Sequence, residues 1–215
     1  MNTVPLAPRI RAGRPTREQA EQRHEELLDC ALKMFLDKGY ELATIEAIAM
    51  AMGMTKRTVY ARYPEKSALF KAAVQRAIEL YTVPMAALRA AVTDDLETTL
   101  TNIARIRIDN VMSPVGLRLQ RILSAESYRF PEIFNQAYEQ GAKPSIDFLA
   151  DVLRQHNAAG TTDVADPERA ALAFVSLVVS GPTRVVVSGN VIDQAELEER
   201  IRFSVRLFLN GVRRR

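Results

Sequence analysis

An all-α fold of about nine helices is predicted for this chain, and three features predict it. Apolar residues recur three and four positions apart almost everywhere after residue 16. Helix-start signatures stand at intervals, each with an oxygen-bearing side chain three residues before a helical N–H. Several Gly and Pro residues stand at expected helix boundaries, Gly39, Pro64, Pro84 and Pro167 among them, while Gly181-Pro182 interrupts an apolar run.

Thr16-Arg17-Glu18-Gln19 forms a capping box that opens the first helix, whose apolar set is Leu27, Leu28, Ala31, Leu32 and Phe35. Gly39 is placed to end it in the left-handed region. Thr44 caps a short second helix carrying Ile45, Ile48, Ala49 and Met52 on one face, and Thr55 caps a third. Pro64 is expected to start the fourth, through Leu69, Phe70, Ala73, Val74, Ala77 and Leu80, with Pro84 as a kink or boundary. Further helices are expected near 94–111, 115–130, 132–157, 167–188 and 194–210. Asp166-Pro167 and Asp193 with Glu196 supply start signals for the last two. The stretch ALAFVSLVVSGPTRVVVSG is valine-rich and broken by Gly181-Pro182, yet too long for an ordinary strand, so it too reads as helix.

Composition excludes several classes. The chain has 215 residues, 47% hydrophobic and 26% charged, which suits a soluble domain with a real core. No apolar run reaches the roughly 18 residues of a membrane span, and the N-terminus, MNTVPLAPRIRAGRP, is basic and Pro-rich instead of secretory. The single cysteine, Cys30, excludes an internal disulfide framework and suits a reducing cytoplasm; its helical neighbours favour packing over the alternative of a redox sensor. His24 and His156 are expected on solvated faces, with neither a nucleophile nor metal-ligand spacing nearby. No catalytic residue, metal site or cofactor is therefore expected, and no enzyme. Net charge is only +3, but residues 1–17 hold Arg9, Arg11, Arg14 and Arg17 without an acid, and the chain ends in Arg213-Arg214-Arg215. Arg11 and Arg14 can reach into a minor groove, or the arm 1–16 can be a solubilising tail; both readings stand.

Two short helices joined by a tight Gly turn form a helix-turn-helix, although an ordinary helical hairpin has the same spacing. A helical wheel at about 100° per residue favours the first. Val59 and Tyr63 fall together, toward Ile45, Ile48 and Ala49. Arg57 and Ala61 point the other way, flanked by Thr58 and Tyr60. Residues 56–62 span roughly 10 Å, against a DNA major groove about 12 Å wide. Ala61 lets the backbone sit close to base edges, and Arg57 can read guanine with two hydrogen bonds. From Thr55 to Tyr63 there is no acid. Thr44 and Thr55 at helix N-termini, with Lys66 in the next helix, fit a phosphate clamp.

The segment TIEAIAMAMGMTKRTVYARYPEKSALF, with LDCALKMFLDKGYELATIEAIA before it, resembles the N-terminal signature of the TetR/AcrR family of bacterial transcriptional regulators. The resemblance covers roughly residues 20–70. It implies a three-helix helix-turn-helix head and a larger C-terminal helical bundle, as a homodimer. Matched to that pattern are the capping Thr44, the turn Gly53, Lys56, the backbone-contacting Tyr60 and the phosphate-binding Lys66. Arg57 and Ala61 depart from the family's usual residues there, and Tyr63 replaces its usual phenylalanine. With Arg62, these residues make up the expected DNA face. The boundaries expected are 1–16 for the arm, 17–64 for the DNA-binding head and 65–215 for a ligand-binding and dimerising body.

In the body, Glu126 to Glu132 resembles a corner of one AcrR-like subgroup, where Pro131 starts a helix and Arg129 pairs with an acid. The resemblance implies a dimer interface on the last two helices, and their apolar excess supports it, although burial inside one chain has the same signature. Phe174, Val178, Val185, Ile201, Val205 and Phe208 are the expected contacts. Pocket candidates are Tyr81, Met85, Met112, Phe134, Tyr138, Phe148 and Phe174, with Arg105 and Asp109 as polar anchors. Arg118 and Glu126 are further ionisable residues at unusual positions. The function expected is a ligand-responsive repressor, cytoplasmic and DNA-associated, that binds a palindromic operator in double-stranded DNA as a homodimer. Its effector would be an unidentified small molecule, with no membrane partner. Activation by the same fold and a helical adaptor without DNA activity are the alternatives.

Overall fold

The computed structural model describes residues 16–190 and 192–212, so Arg9, Arg11, Arg14 and the terminal arginines lie outside the described residues. Among those described are eleven α-helices, one π-helical turn and no strand. In chain order they are α1 (Arg17–Leu42), α2 (Ile45–Ala51), α3 (Lys56–Arg62), α4 (Lys66–Tyr81), α5 (Met85–Ala90) and α6 (Leu96–Met112). Then follow α7 (Pro114–Glu126), α8 (Pro131–Ala137), the π turn (Tyr138–Ala142), α9 (Lys143–Ala158), α10 (Pro167–Val187) and α11 (Gln194–Val212). With 131–158 taken as one bent rod and the single-turn α5 set aside, nine helices remain, the number expected.

The caps act where the side chains place them. Thr16 and Gln19 exchange both bonds of a capping box. Asp95, Ser113 and Asp166 each accept the N–H three residues on, opening α6, α7 and α10. Gly39, at φ 76°, kinks α1, which then makes one more turn before Ala43.

Three expectations need correction. The fourth helix starts at Lys66, not Pro64: the residue before a proline is pushed out of the α region, which ends α3 at Tyr63 (φ −125°, ψ 92°), and Glu65, extended at φ −134°, ψ 154°, is the N-cap of α4. The rod expected at 132–157 is interrupted by the π turn. Pro144 has no N–H to give the Gln140 carbonyl, and Lys143 N–H bonds five residues back to Tyr138. The valine-rich run is helical through Pro182, and by length and composition α10 would suffice to cross a membrane, contrary to the expectation from run length. One side of it, Ala171, Phe174, Val175 and Val178, is nevertheless buried in the second core.

Two apolar cores organise the chain. The first joins α1 to α4 and also takes Leu119, Ile122 and Leu123 from α7, with Phe130 and Ile133 from the α8 corner. The second is built by α5, α6, α9, α10 and α11. The first core ends in an aromatic cluster: Phe35, Tyr40, Phe70 and Phe130 lie with ring centres 5.0–6.1 Å apart. Arg129 sits over the Tyr40 ring at 5.0 Å and pairs with Glu41 and Glu126. Pro131 starts α8, and Lys71 of α4 bonds Glu132 at 2.6 Å.

The corner between α6 and α7 is close-packed at Gly116. A Cβ there would stand 2.4 Å from the Asn110 carbonyl oxygen and 2.7 Å from that of Val111. Both are backbone atoms, so relief requires moving a helix. Gly116→Ala is expected to destabilise the protein by about 1–3 kcal/mol in urea unfolding. Gly211→Ala, whose added Cβ meets nothing within 4 Å, should be neutral or slightly stabilising. Equal midpoints for the two variants would contradict this account.

Candidate nucleic-acid interface

The geometry of α2 and α3 follows from one buried valine and one glycine. Val59 is fully buried among Ile45, Ile48 and Ala49, which fixes the rotation of α3. Gly53, at φ +59°, makes the turn, and Met54 N–H returns to the Ala49 carbonyl at 2.8 Å. Thr44 Oγ1 accepts from Ala47 N–H and Thr55 Oγ1 from Thr58 N–H, both at 3.1 Å. The Thr55 and Thr58 hydroxyls also bond each other at 2.8 Å.

With Val59 inward, Thr55, Lys56, Arg57, Thr58, Tyr60, Ala61 and Arg62 are all exposed. Arg57 makes no ion pair or hydrogen bond among the described residues, so its fork is free. Lys56 differs. It pairs with Glu46 of α2 and stands 5.4 Å from the Tyr60 ring centre. The pair raises the Lys56 pKa and lowers that of Glu46, chiefly through their mutual hydrogen bond. The face is acid-free along α3, but an acid reaches it from α2, which spacing within α3 does not reveal.

Lys66 is half-buried and already engaged. Its ammonium donates to the carbonyls of Tyr40 (2.9 Å) and Glu41 (3.1 Å) and sits 4.5 Å from the Tyr40 ring centre. It therefore serves the C-terminal end of α1, with at most one N–H left for a phosphate. Tyr63 packs at the margin of the first core, and its hydroxyl meets His24 Nε2 at 2.6 Å. The expectation of a solvated His24 is thus corrected. Apolar spacing within α1 could not show the neighbour from 39 residues away. Cys30 packs against the first core, which pushes its thiol pKa up.

Of the pocket candidates, the structure places one, Tyr81, on a cavity of about 90 Å³ between α4, α6, α7 and the π turn. Met85, Met112, Phe148 and Phe174 belong to or pack against the second core. Phe134 and Tyr138 are largely exposed. Arg105 forms a bidentate pair with Glu198 of α11 at 2.7–3.2 Å, and Asp109 is exposed; neither lines that cavity. The cavity's charged residue is Arg107, which sequence reasoning missed. Leu96, Leu100, Ile103, Arg107 and Val111 fall on one apolar stripe, but that spacing alone does not say whether the cation in it turns inward or bends out to solvent.

The expected dimer contacts also change. Phe174, Val178, Ile201 and Val205 are buried within the single chain, and the half-buried Phe208 packs edge-on to Phe174 at 5.0 Å. Val185 is half-buried. The outward apolar residues of α10 and α11 are Leu172, Leu177, Phe203 and Leu207, the last two 58% and 51% exposed. An apolar count cannot tell the two sides of a helix apart when both carry leucine and phenylalanine.

His24 sits where α1 meets the C-terminal end of α3, and its titration there has a predictable sign. Burial is the largest cause lowering its pKa below 6.5, and Arg62 and Arg76 add to it. The folded state thus favours the neutral imidazole, so this contribution to stability is full above about pH 6.5 and is lost as pH falls below it. His24→Gln should flatten the decline of the thermal midpoint between pH 7 and 5. Superimposable profiles for the two proteins would refute the role.

Comparison with known proteins bears on both halves. Residues 27–73 match the profile described as bacterial regulatory proteins, tetR family. Residues 98–211 match AefR-like transcriptional repressor, C-terminal domain. An HTH-type transcriptional regulator of Mycobacterium bovis is 36% identical over 74 residues, 34% of this chain and 37% of that protein. The chain thus spans little more than a third of the length of the curated relatives it matches. Among solved structures, a TetR-family regulator from Mesorhizobium loti superposes with TM-score 0.79 at 24% identity, covering 93% of this chain and 100% of the other. The flavonoid-responsive regulator FrrA gives TM-score 0.70 at 28% identity, over 91% and 99%.

Proposed function

The chain belongs to the TetR family of bacterial regulatory proteins, and we propose that it is a DNA-binding transcriptional repressor released by a small-molecule effector. The observation that carries this reading is the exposed outer face of α3, with Arg57 unpaired and Val59 locked inward. The residues proposed to meet DNA are Thr44, Thr55, Lys56, Arg57, Thr58, Tyr60, Ala61, Arg62 and Lys66, with Arg11 and Arg14 of the arm. Arg57 is assigned to base edges and the threonines and lysines to phosphates. The head 17–64 is proposed as the DNA-binding unit and 65–215 as the effector-binding and dimerising body.

The protein is proposed to act as a homodimer through α10 and α11. Leu172, Leu177, Phe203 and Leu207 lie on their outward sides and need a cover that one chain does not supply. Two heads related by a two-fold axis read successive major grooves about 34–36 Å apart, which makes the operator palindromic. Repression is favoured over activation by the match of the body to an AefR-like repressor domain. The proposed site of action is the cytoplasm, and no catalytic step is part of this reading.

Genomic fragments retained by the purified protein identify the operator, and mobility shifts then test the roles. Arg57→Ala is expected to weaken the specific site by about 1–3 kcal/mol and to relax specificity at one base pair. Glu46→Gln frees Lys56 and should steepen the salt dependence by about 0.9 in log–log slope, the release of roughly one more counterion. Arg57→Ala lowering affinity equally on all sequences would reassign that residue to a phosphate. An unchanged salt slope for Glu46→Gln would remove Lys56 from the interface.

A further inference from the structure

The cavity between α4, α6, α7 and the π turn holds a buried guanidinium that no carboxylate among the described residues pairs with. Arg107 is only 7% exposed. Its Nη1 donates to the Gly141 carbonyl at 3.3 Å and to the Ser145 hydroxyl at 3.4 Å, both at the long end for such bonds. Its Nε is buried without a partner. No acid contributes to its titration; burial alone acts, and lowers its pKa. A guanidinium does not deprotonate in a protein, so the charge remains and needs an anion. A buried arginine ordinarily carries a carboxylate, as the half-buried Arg76 does with Asp29 and the more exposed Arg105 does with Glu198.

A second observation marks the same place. The π turn forms the cavity wall, and it is irregular because Pro144 cannot complete the helical ladder. Its carbonyls point to other partners, Gly141 to Arg107 and Gln140 to the Thr82 hydroxyl. Such turns recur at functional positions. The cavity, about 90 Å³, is several times the roughly 10–15 Å³ that one water requires.

We propose that this cavity binds a small organic monocarboxylate, whose carboxylate pairs with the Arg107 guanidinium. One cation balances one negative charge; a phosphate would bring an excess of negative charge into a site with no second cation lining it. Ile78, Val111, Leu119 and Leu123 supply an apolar flank for the ligand's carbon skeleton. Gln120 also lines the cavity and makes no hydrogen bond among the described residues, so its amide is available to the second carboxylate oxygen. The inference names the chemical class of the effector in the reading above and rests on that reading for its consequence. Ile78 and Tyr81 belong to the last turn of α4 and Thr82 caps it, while the first residue of α4, Lys66, holds the end of α1. An occupant thus touches the helix that joins body to head.

The test titrates the full chain by calorimetry with butyrate, hexanoate and benzoate, their amides, and inorganic phosphate. At least one acid is expected to bind about tenfold or more tightly than its amide, as loss of a charged hydrogen-bond pair requires. Arg107→Met should abolish that preference while unfolding at the same temperature as wild type or higher, since it removes an unpaired buried charge. The acid–amide comparison on wild type needs no variant and decides the matter if Arg107→Met fails to fold. No binding by any acid, equal binding of acid and amide, tighter binding of phosphate, or a preference that survives in Arg107→Met would each overturn the proposal. The same acids added to the operator complex separate the two readings. Arg107-dependent binding that leaves DNA bound supports the anion site and defeats the effector role. Release by the amides alone keeps the effector role and defeats the carboxylate.

Discussion

The packing of α4 into two neighbourhoods at once is the constraint on which the rest of this structure depends. Its buried face, Leu69, Phe70, Ala73, Val74, Ala77 and Ile78, closes the core of the first three helices. The same core takes side chains from α7 and from the Phe130 corner. The first three helices and the α7–α8 corner therefore share one apolar interior through α4, and pulling them apart would expose it to water at about 25 cal/mol per Å² of apolar surface. The Tyr40 ring is the tightest point of this junction. It contacts three other aromatic rings and lies beneath two cations, Lys66 and Arg129. Each such ring contact contributes about 0.5–1.5 kcal/mol beyond its buried area, and each cation about 0.5–1 kcal/mol.

From that junction α4 runs 16 residues, or about 24 Å, to the cavity beside Arg107. A packed helix moves as a rod more readily than it bends, because close-packed interiors admit few intermediate arrangements. A change at Tyr81 and Thr82 can thus be felt at Lys66 without any change in the helices between. The ion pairs around the rod have a different status. Lys71 with Glu132, and the acids Asp29 and Glu25 that meet the half-buried Arg76, are substantially exposed, so these pairs set orientation more than stability.

Arg57 and Arg107 both lack a carboxylate among the described residues, and burial gives that lack opposite meanings in the two places. Arg57 on α3 is exposed, where water solvates an unpaired charge at little cost and leaves it ready for a partner. Arg107 is enclosed, where an unpaired charge is expensive and persists only if something compensates it. The first was legible in the sequence because a seven-residue helix with one valine inward has a single outward face. The second was not, because a cation among Leu100, Ile103 and Val111 could equally have bent outward to solvent. Arg105, two positions before it, does reach outward, to Glu198.

By itself the sequence determined the local structure: the caps at Thr16, Thr44, Thr55 and Asp166, the turn at Gly53, and the rotation of α3 about Val59. These are decided within a few residues by hydrogen bonds and by helical periodicity, so short-range spacing contains them. What only the tertiary structure decided are the relations between distant segments. Glu46 neutralises Lys56, His24 meets Tyr63, and Lys66 is drawn to the carbonyls of α1. Phe174, Val178, Ile201 and Val205 turn inward while Phe203 and Leu207 turn out. Helices with apolar residues on two sides bury whichever side their neighbours cover, and that choice is made by the packing of the whole chain.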